Sequence, residues 1–275
     1  RFRGKIYVEP MKKLLELISI LLVITSCSEQ AEDTNTEVEE IVQRPYSEYL
    51  TCTPGNNFTP ESVRAMITEW NQLDLDDSLY FAAGHAPLTE STLAGSGKVF
   101  WQLFWQSKED ATQAWSEDPS EEFLAWGEKF QDVLTCDGDG RRGYDVYWGR
   151  DNDRSGEWVD NTQWVTYAHY CKFNEAGNFE ALSSAAQEFN IYLDNVESGT
   201  DGPFTFGVYL HNNDNPEPYI NYDFFWMNYY QNHDDAQASY ERFAQTGTEM
   251  QATFDSFSEC EGPFPSNSYQ FLSTN

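Results

Sequence analysis

Two histidines occupy matching positions in the two halves of the chain. His85 and His211 lie 126 residues apart, and each follows a short run of β-forming residues. Imidazoles related in this way could ligate one metal ion, or act as acid and base over a shared cavity. The simpler interpretation is that both residues end strands and cap turns. His169 has no such counterpart, because Leu50 stands at the matching position; a single specialised pocket would produce this asymmetry, and neutral drift would produce it as easily.

Two tryptophans are candidates for the wall of a ligand pocket. Trp101 and Trp226 lie 125 residues apart, each within an aromatic run. Indole rings can stack on an aromatic ligand in an apolar pocket, and ordinary core packing is the alternative. The chain contains no Gly-x-Ser-x-Gly, no His-Glu-x-x-His and no phosphate-binding loop, so no catalytic residue is assigned. The candidate ligand-binding residues are Trp101, Trp226, His85, His211 and His169.

The segment after position 150 matches the first half of an EF-hand-type calcium loop. Oxygen-bearing side chains stand at alternate positions, and Gly156 stands at the sixth. The twelfth position holds Thr162, where a bidentate glutamate is needed, so a polar linker is the alternative. The candidate calcium ligands are Asp151, Asp153, Ser155 and Glu157, and the sequence indicates no other cofactor.

The two aromatic runs belong to a duplication. Residues 99–106 match residues 224–231, with the tryptophan and the final glutamine identical. A repeat of this kind indicates two copies of one structural unit. Apolar spacing predicts the order strand, helix, strand, strand, helix, strand in each copy. In the first copy, the second helical region is predicted over residues 108–135 with a bend near Pro119, and the last strand over residues 144–149.

This order is that of the split βαβ, or ferredoxin-like, arrangement, a four-stranded antiparallel sheet with both helices on one face. One face of the strand at 99–106 is apolar, and the other face also carries Phe100 and Phe104. Because a sheet with one face in water alternates apolar and polar side chains, both faces are predicted to be covered. Two such units packed sheet to sheet resemble the dimeric α/β-barrel superfamily. The predicted fold class is therefore α+β, with two tandem ferredoxin-like (βαββαβ) units forming an intrachain pseudo-dimeric α/β barrel.

Three classes of function are compatible with this fold. The first is a binding protein that holds a small apolar or aromatic molecule between its two sheets. The second is an enzyme, because the resemblance implies relatives that include cofactor-free monooxygenases, isomerases and haem-dependent enzymes. The third is a structural or partner-binding surface protein with a filled barrel. Fold alone does not choose among them, and the sequence carries no signal for an oligomeric state.

The same resemblance implies a disulfide pattern. Four of the five cysteines lie at matching places in the two copies, and four cysteines allow three pairings. In the ferredoxin-like arrangement the first strand and the second helix finish at the same end of the sheet. The resemblance therefore implies the bonds Cys52–Cys136 and Cys171–Cys260. Metal binding by the four thiols is the alternative, but the chain has no Cys-x-x-Cys spacing.

The N-terminal region resembles a bacterial lipoprotein signal. Met11-Lys12-Lys13 precedes an apolar stretch too short to span a bilayer, which ends in Ile24-Thr25-Ser26-Cys27. This order matches the lipobox, in which the cysteine, here Cys27, is lipidated. Ser28 stands where an aspartate would imply retention at the inner membrane. The resemblance therefore implies an outer-membrane lipoprotein of the bacterial cell envelope, attached to the membrane through its lipid anchor only.

The net charge of −30 limits the partners further. A phosphate backbone would be repelled, so nucleic acid is not expected as a partner. Residues 28–40 are rich in acids and lack apolar periodicity, which predicts a solvated tether. The predicted boundaries are 1–26 for upstream residues and the signal peptide, 27–45 for the acidic tether, 46–150 for the first barrel unit, 151–162 for the linker and 163–275 for the second barrel unit.

Overall fold

Eight antiparallel strands form a closed barrel in the computed structural model of the protein. The structure describes residues 45–91, 93, 96–150, 155–196, 202–211 and 214–274. The strands are β1 (Tyr46–Pro54), β2 (Leu79–Pro87), β3 (Val99–Trp105), β4 (Leu134–Trp148), β5 (Gln163–Phe173), β6 (Phe204–His211), β7 (Phe224–Tyr230) and β8 (Ser258–Ser273). The helices are α1 (Pro60–Trp70), α2 (Lys108–Ser116), α3 (Glu121–Phe130), α4 (Phe179–Val196), α5 (His233–Thr246) and α6 (Thr248–Phe257), with a short 3-10 helix at Tyr219–Asn221.

The strand order around the barrel is β1-β3-β2-β8-β5-β7-β6-β4. Each half of the chain contributes four neighbouring strands, in the orders β4-β1-β3-β2 and β8-β5-β7-β6. The halves join where β2 pairs with β8 and where β4 pairs with β6, both antiparallel. Closure leaves no free sheet edge. Strands β1, β2, β5 and β6 all run toward one end of the barrel, which we call the upper mouth.

Three hydrophobic cores follow from the alternation of side chains along the strands. In β3, Trp101 and Leu103 face the helices of the first half, whereas Phe100 and Phe104 face the barrel interior. The second half repeats this division, and its helix-facing core contains Trp226. Both faces of the aromatic strands are therefore covered, as their sequences predict. The third core, which fills the interior, draws side chains from both halves.

The second helical region of the first half is two helices and not one bent helix. α2 ends at Ser116, and α3 begins at Glu121 after Ser120, whose side chain accepts from the backbone N–H of Phe123. Pro119 lies between them, where its ring and missing N–H prevent a continuous helix. The break therefore falls where the sequence predicted a bend.

Strand β4 is much longer than predicted, with 15 residues from Leu134 to Trp148. Its first part pairs with β1, and its last part pairs with both β1 and β6. The segment 137–143 is rich in glycine and charged residues and has low intrinsic β propensity. Pairing with β1 outweighs that preference, so β4 spans the full height of the barrel and connects the halves.

Two disulfides tie the first strand of each half to its last strand. They join Cys52 to Cys136 and Cys171 to Cys260, and the bonded residues are direct cross-strand partners. These are the pairs implied by the resemblance. Stable disulfides are characteristic of oxidising, exported locations. Within the ranges described above, no helix has the length and apolar character needed to cross a membrane.

Candidate functional site

His85 lies inside the barrel, where it is 3% exposed. Its Nε2 is 2.8 Å from the amide oxygen of Gln102, and its Nδ1 is 2.8 Å from the hydroxyl of Ser268. Because an amide oxygen only accepts, this network assigns the proton of the neutral ring to Nε2 and makes Nδ1 the acceptor. Burial lowers the pKa of His85 to about 4. The ring is therefore neutral near pH 7, with both nitrogens already engaged.

The polar network around His85 extends across the barrel. The Gln102 amide donates to Ser47 over 2.9 Å and to the Tyr209 hydroxyl over 3.3 Å. Tyr209 in turn hydrogen-bonds to Tyr229. Groups from both halves thus satisfy one another in the interior, and a satisfied buried network stabilises one arrangement of the core.

His211 does not share a site with His85. It is half-buried at the end of β6, with its ring edge-on to Tyr144 at 6.1 Å between centroids. Burial lowers its pKa, while Asp223 and Asp214 oppose the shift. In the described residues no hydrogen bond or ring contact joins the two histidines, and no group of three metal-ligating side chains is found.

Trp101 and Trp226 face the helices, not the space between the two halves, because side-chain alternation points them away from the interior. Trp101 is enclosed by Trp70, Trp126 and Phe271, with ring centroids 5.0, 6.3 and 4.8 Å away. Its surroundings are filled core. The interior of the barrel, where the sequence predicted a ligand, is also filled with side chains and retains a cavity of only about 30 Å³.

Trp226 lines a cavity of about 200 Å³ between the sheet of the second half and helices α4, α5 and α6. The indole stacks on Phe206 with centroids 4.3 Å apart and an interplanar angle of 10°. The opposite walls of the cavity are provided by aromatic side chains of the helices. The aromatic lining is Phe189, Tyr192, Phe243 and Phe254 from the helices and Phe204, Phe224, Trp226 and Tyr230 from the sheet, with Tyr240 beside them.

A polar edge crosses this aromatic cavity. The Tyr240 hydroxyl is 2.8 Å from Nε2 of His169 and accepts from the Asn228 amide over 3.0 Å. The Asn228 oxygen accepts from the indole N–H of Trp226 over 2.9 Å. Burial lowers the pKa of His169 to about 4 and raises the pKa of Tyr240 well above its ordinary value. Both side chains are thus neutral near pH 7, and Tyr240 donates to the imidazole.

Different side chains stand at the places of the polar edge in the described part of the first half. Strand pairing makes Leu50 opposite Trp101 the counterpart of His169 opposite Trp226. The matching trios are Leu50, Leu103 and Trp115 in the first half and His169, Asn228 and Tyr240 in the second. Sequence analysis identified His169 but missed Asn228 and Tyr240. The signal for Asn228 was present, because it is the one polar residue at a helix-facing position of an otherwise aromatic strand.

The remaining predicted sites lie partly or wholly outside the described residues. Cys27 and the calcium ligands Asp151 and Asp153 fall there. Of the other two calcium candidates, Ser155 is buried and Glu157 is exposed. The calcium loop and the lipidation site therefore stay predictions.

Comparison with known proteins identifies the fold. No family model matches the chain, and no curated protein matches it. A protein of Lactobacillus acidophilus NCFM described as a candidate monooxygenase superposes with a TM-score of 0.50 at 13% identity, covering 84% of this chain and 96% of that one. A mutant chlorite dismutase from Candidatus Nitrospira defluvii gives a TM-score of 0.46 at 11% identity, covering 81% of this chain and 91% of that one. At 13% identity the similarity to the first of these proteins concerns the fold alone.

Proposed function

We propose that the protein binds a small aromatic molecule in the cavity under the helices of its second half. The observation that carries this proposal is the combination of an aromatic lining with one polar edge, formed by His169, Asn228 and Tyr240. Ligand pockets have this character, apolar walls with a few placed polar groups. The proposed binding site thus lies on the helix-facing side of one sheet, and not between the two sheets as the sequence predicted.

The size of the cavity limits the ligand. An engineered apolar cavity of about 150 Å³ binds benzene, and this cavity measures about 200 Å³. One ring with a short substituent therefore suits the space. Because His169 and Tyr240 are neutral, the polar edge that they form suits a hydroxyl or carbonyl substituent. Arg242 also contributes to the lining.

The difference between the two halves supports a role in binding. Polar groups beneath helices are costly unless they are hydrogen-bonded. The first half has Leu50 and Leu103 at the equivalent places, and its indoles fill the equivalent space. Its own buried carboxylate, Glu48, is paired with Arg141 and with the indole N–H groups of Trp105 and Trp115. The second half keeps polar groups and a cavity at the same place, which core packing alone does not require.

The chemistry of the polar edge favours binding over catalysis. A pKa of about 4 makes the imidazole of His169 a weak base, poorly matched to a phenol with a pKa of about 10. Haem does not fit these residues either. A macrocycle of four pyrrole rings exceeds a space suited to one ring, and Nε2 of His169 is engaged by Tyr240.

The cellular setting belongs to the same proposal. We interpret the two halves as tandem ferredoxin-like units, carried on an acidic tether that follows a lipidated Cys27. The two disulfides support export. The net charge of −30 would keep the barrel away from anionic headgroups, leaving the lipid as the only membrane attachment.

Ligand-observed NMR titrations of the full chain with toluene and p-cresol test the binding. These probes differ by one hydroxyl group. Wild type is expected to bind both, and to bind p-cresol about 2- to 10-fold more tightly, as one net hydrogen bond provides. The combined substitutions His169→Leu, Asn228→Leu and Tyr240→Phe install the apolar character of the first half, so the preference for p-cresol should disappear while toluene still binds. Failure of wild type to bind either probe would refute the proposal.

A matched pair of tryptophan variants locates the site. Trp226→Phe shortens a wall of the cavity and should weaken toluene binding several-fold. Trp101→Phe removes the equivalent indole from the filled half. It should lower the free energy of unfolding about as much as Trp226→Phe does, without changing toluene binding. Equal weakening by both variants would place the bound probe elsewhere.

A further inference from the structure

Arg142 is a buried cation in the barrel interior, and no carboxylate among the described residues pairs with it. Its side chain lies on β4 and is 2% exposed. Nη1 donates to the Thr51 hydroxyl over 2.8 Å. Among the described residues, no Asp or Glu oxygen lies within 4 Å of its guanidinium. The neighbouring Arg141, by contrast, faces outward and pairs with Glu48 at 3.2 Å.

Aromatic rings surround the guanidinium but supply only part of what its charge requires. Its central carbon lies 3.9 Å from the ring centroid of Tyr219, 4.9 Å from Phe100 and 5.9 Å from Tyr49. A desolvated cation–π contact is favourable, but removing an ion from water is costly in real proteins. The side-chain partners shown for the guanidinium are rings and hydroxyl groups, so none of them carries an opposite charge.

A small cavity lies against this cation. It measures about 30 Å³ on a scale where one water molecule needs about 10–15 Å³, so it has room for about two waters. Arg142 is the one charged residue in its described lining, because His85 is neutral near pH 7. The buried hydroxyl of Tyr49, also in the lining, has no hydrogen-bond partner among the described groups. Two donor groups thus border this space, and the lining hydroxyl that interacts with the guanidinium, that of Tyr144, carries no charge.

Described residues of two loops contact each other near Arg142 at the upper mouth. The Tyr219 hydroxyl donates to the backbone oxygen of Leu93 over 2.9 Å, joining the loop before β7 to the loop before β3. The Asn215 side chain makes two hydrogen bonds to the backbone of Gly143, the neighbour of Arg142, at 2.8 and 3.1 Å. The guanidinium is therefore held away from bulk water. In this low-dielectric interior it would attract an opposite charge strongly.

We propose that Arg142 and the Tyr49 hydroxyl form a binding site for a small monovalent anion, of the size of chloride, nitrite or formate, in the upper part of the barrel interior. The guanidinium supplies charge and N–H donors, and the phenol supplies one O–H donor. The cavity excludes larger anions such as gluconate by volume. This site is separate from the aromatic cavity under the helices of the second half.

Thermal unfolding of the full chain tests the site, with sodium chloride, nitrite or formate replacing sodium gluconate at constant ionic strength. Wild type is expected to show a saturable rise in Tm with at least one of the three anions, because a ligand that binds only the folded state stabilises it. A Tm that does not depend on any of these anions would overturn the proposal.

Three variants identify the donors. Arg142→Gln should abolish the anion-dependent rise, whereas Arg141→Gln, the matched charge change on the opposite face of β4, should retain it. Tyr49→Phe removes a hydroxyl for which no hydrogen bond to a described group is found, so it should fold and bind the anion about tenfold or more weakly, as expected for a lost hydrogen bond to a charged group. If Arg142→Gln does not fold, the anion-dependent rise in Tm of Tyr49→Phe tests the site by itself. Unchanged anion dependence in Tyr49→Phe would exclude the site as described.

Discussion

Lowering the pH from 7.5 to 5 should lower the free energy of unfolding, because His85 is held neutral inside the barrel. Burial lowers its pKa from an ordinary 6.5 to about 4, and its hydrogen bond to Gln102 opposes the shift only in part. In the unfolded chain the imidazole binds a proton as the pH falls through 6.5. The folded protein binds it only near pH 4. The unfolded state therefore holds more protons between these values, and the free energy of unfolding falls as the pH falls.

The magnitude follows from the two pKa values. At pH 5 the unfolded imidazole is almost fully protonated and the folded one is almost fully neutral, which corresponds to about 2 kcal/mol at about 1.4 kcal/mol per pKa unit. No neighbour shown for the His85 ring carries a negative charge that would stabilise its protonated form. Its neighbours are Ser268, Gln102 and the ring of Tyr49 at 5.7 Å, and the cationic Arg142 lines the same cavity.

Urea unfolding at both pH values measures the effect in wild type and in His85→Gln. Glutamine keeps hydrogen-bonding capacity and does not titrate, so the wild type should lose about 2 kcal/mol more than this variant between pH 7.5 and pH 5. His211→Gln is the matched control, because the acidic neighbours of His211 oppose its shift and its effect should be smaller. Equal losses in wild type and His85→Gln would refute the assignment of a neutral, buried imidazole.

Two further predictions concern stability. Replacing Cys52 and Cys136 together by alanine removes a cross-link over 84 residues and should lower the free energy of unfolding by about 3–4 kcal/mol in urea titrations; a loss under about 1 kcal/mol would contradict this. Gly127→Ala should raise stability by about 0.5–1 kcal/mol, since nothing lies within 4 Å of the added methyl in α3. Its matched control is Gly55→Ala, where the methyl would lie 2.1 Å from the backbone oxygen of Asp132, and there the thermal midpoint should fall.

Much of the fold could be predicted from local patterns. The repeat at residues 99–106 and 224–231 indicated two copies, and aromatic side chains on both faces of those strands indicated cover on both sides. The disulfide pairs were implied by the resemblance of this element order to the ferredoxin-like arrangement. The other inferences used side-chain spacing within a few turns or strands, which the chain carries in its own order.

The strand boundaries were less predictable where pairing outweighed propensity. The prediction gave the last strand of the first half to residues 144–149, whereas β4 begins at Leu134. Glycine and charged residues in that segment are typical of turns. They form a strand because β1 lies beside them. Whether a neighbouring strand is present to pair with the segment cannot be read from the segment's own residues.

The candidate sites divide in the same way. The sequence identified His169 and Trp226, and the structure places both at one cavity. The sequence could not show that both ring nitrogens of His85 would be hydrogen-bonded in a polar network, or that His211 would lie elsewhere. It also could not show that Arg142 would be buried with no acidic partner among the described residues. Those outcomes depend on which strands become neighbours when the barrel closes.

The sequence by itself determined the duplication, the general order of strands and helices, the alternation that gives the aromatic strands two buried faces, and the acidic character of the chain. Tertiary structure alone decided that one half is filled under its helices and the other retains a cavity of about 200 Å³. The reason is physical. Periodicity states which side chains share a face, but the volume left between packed faces depends on the shapes of side chains brought together from distant elements.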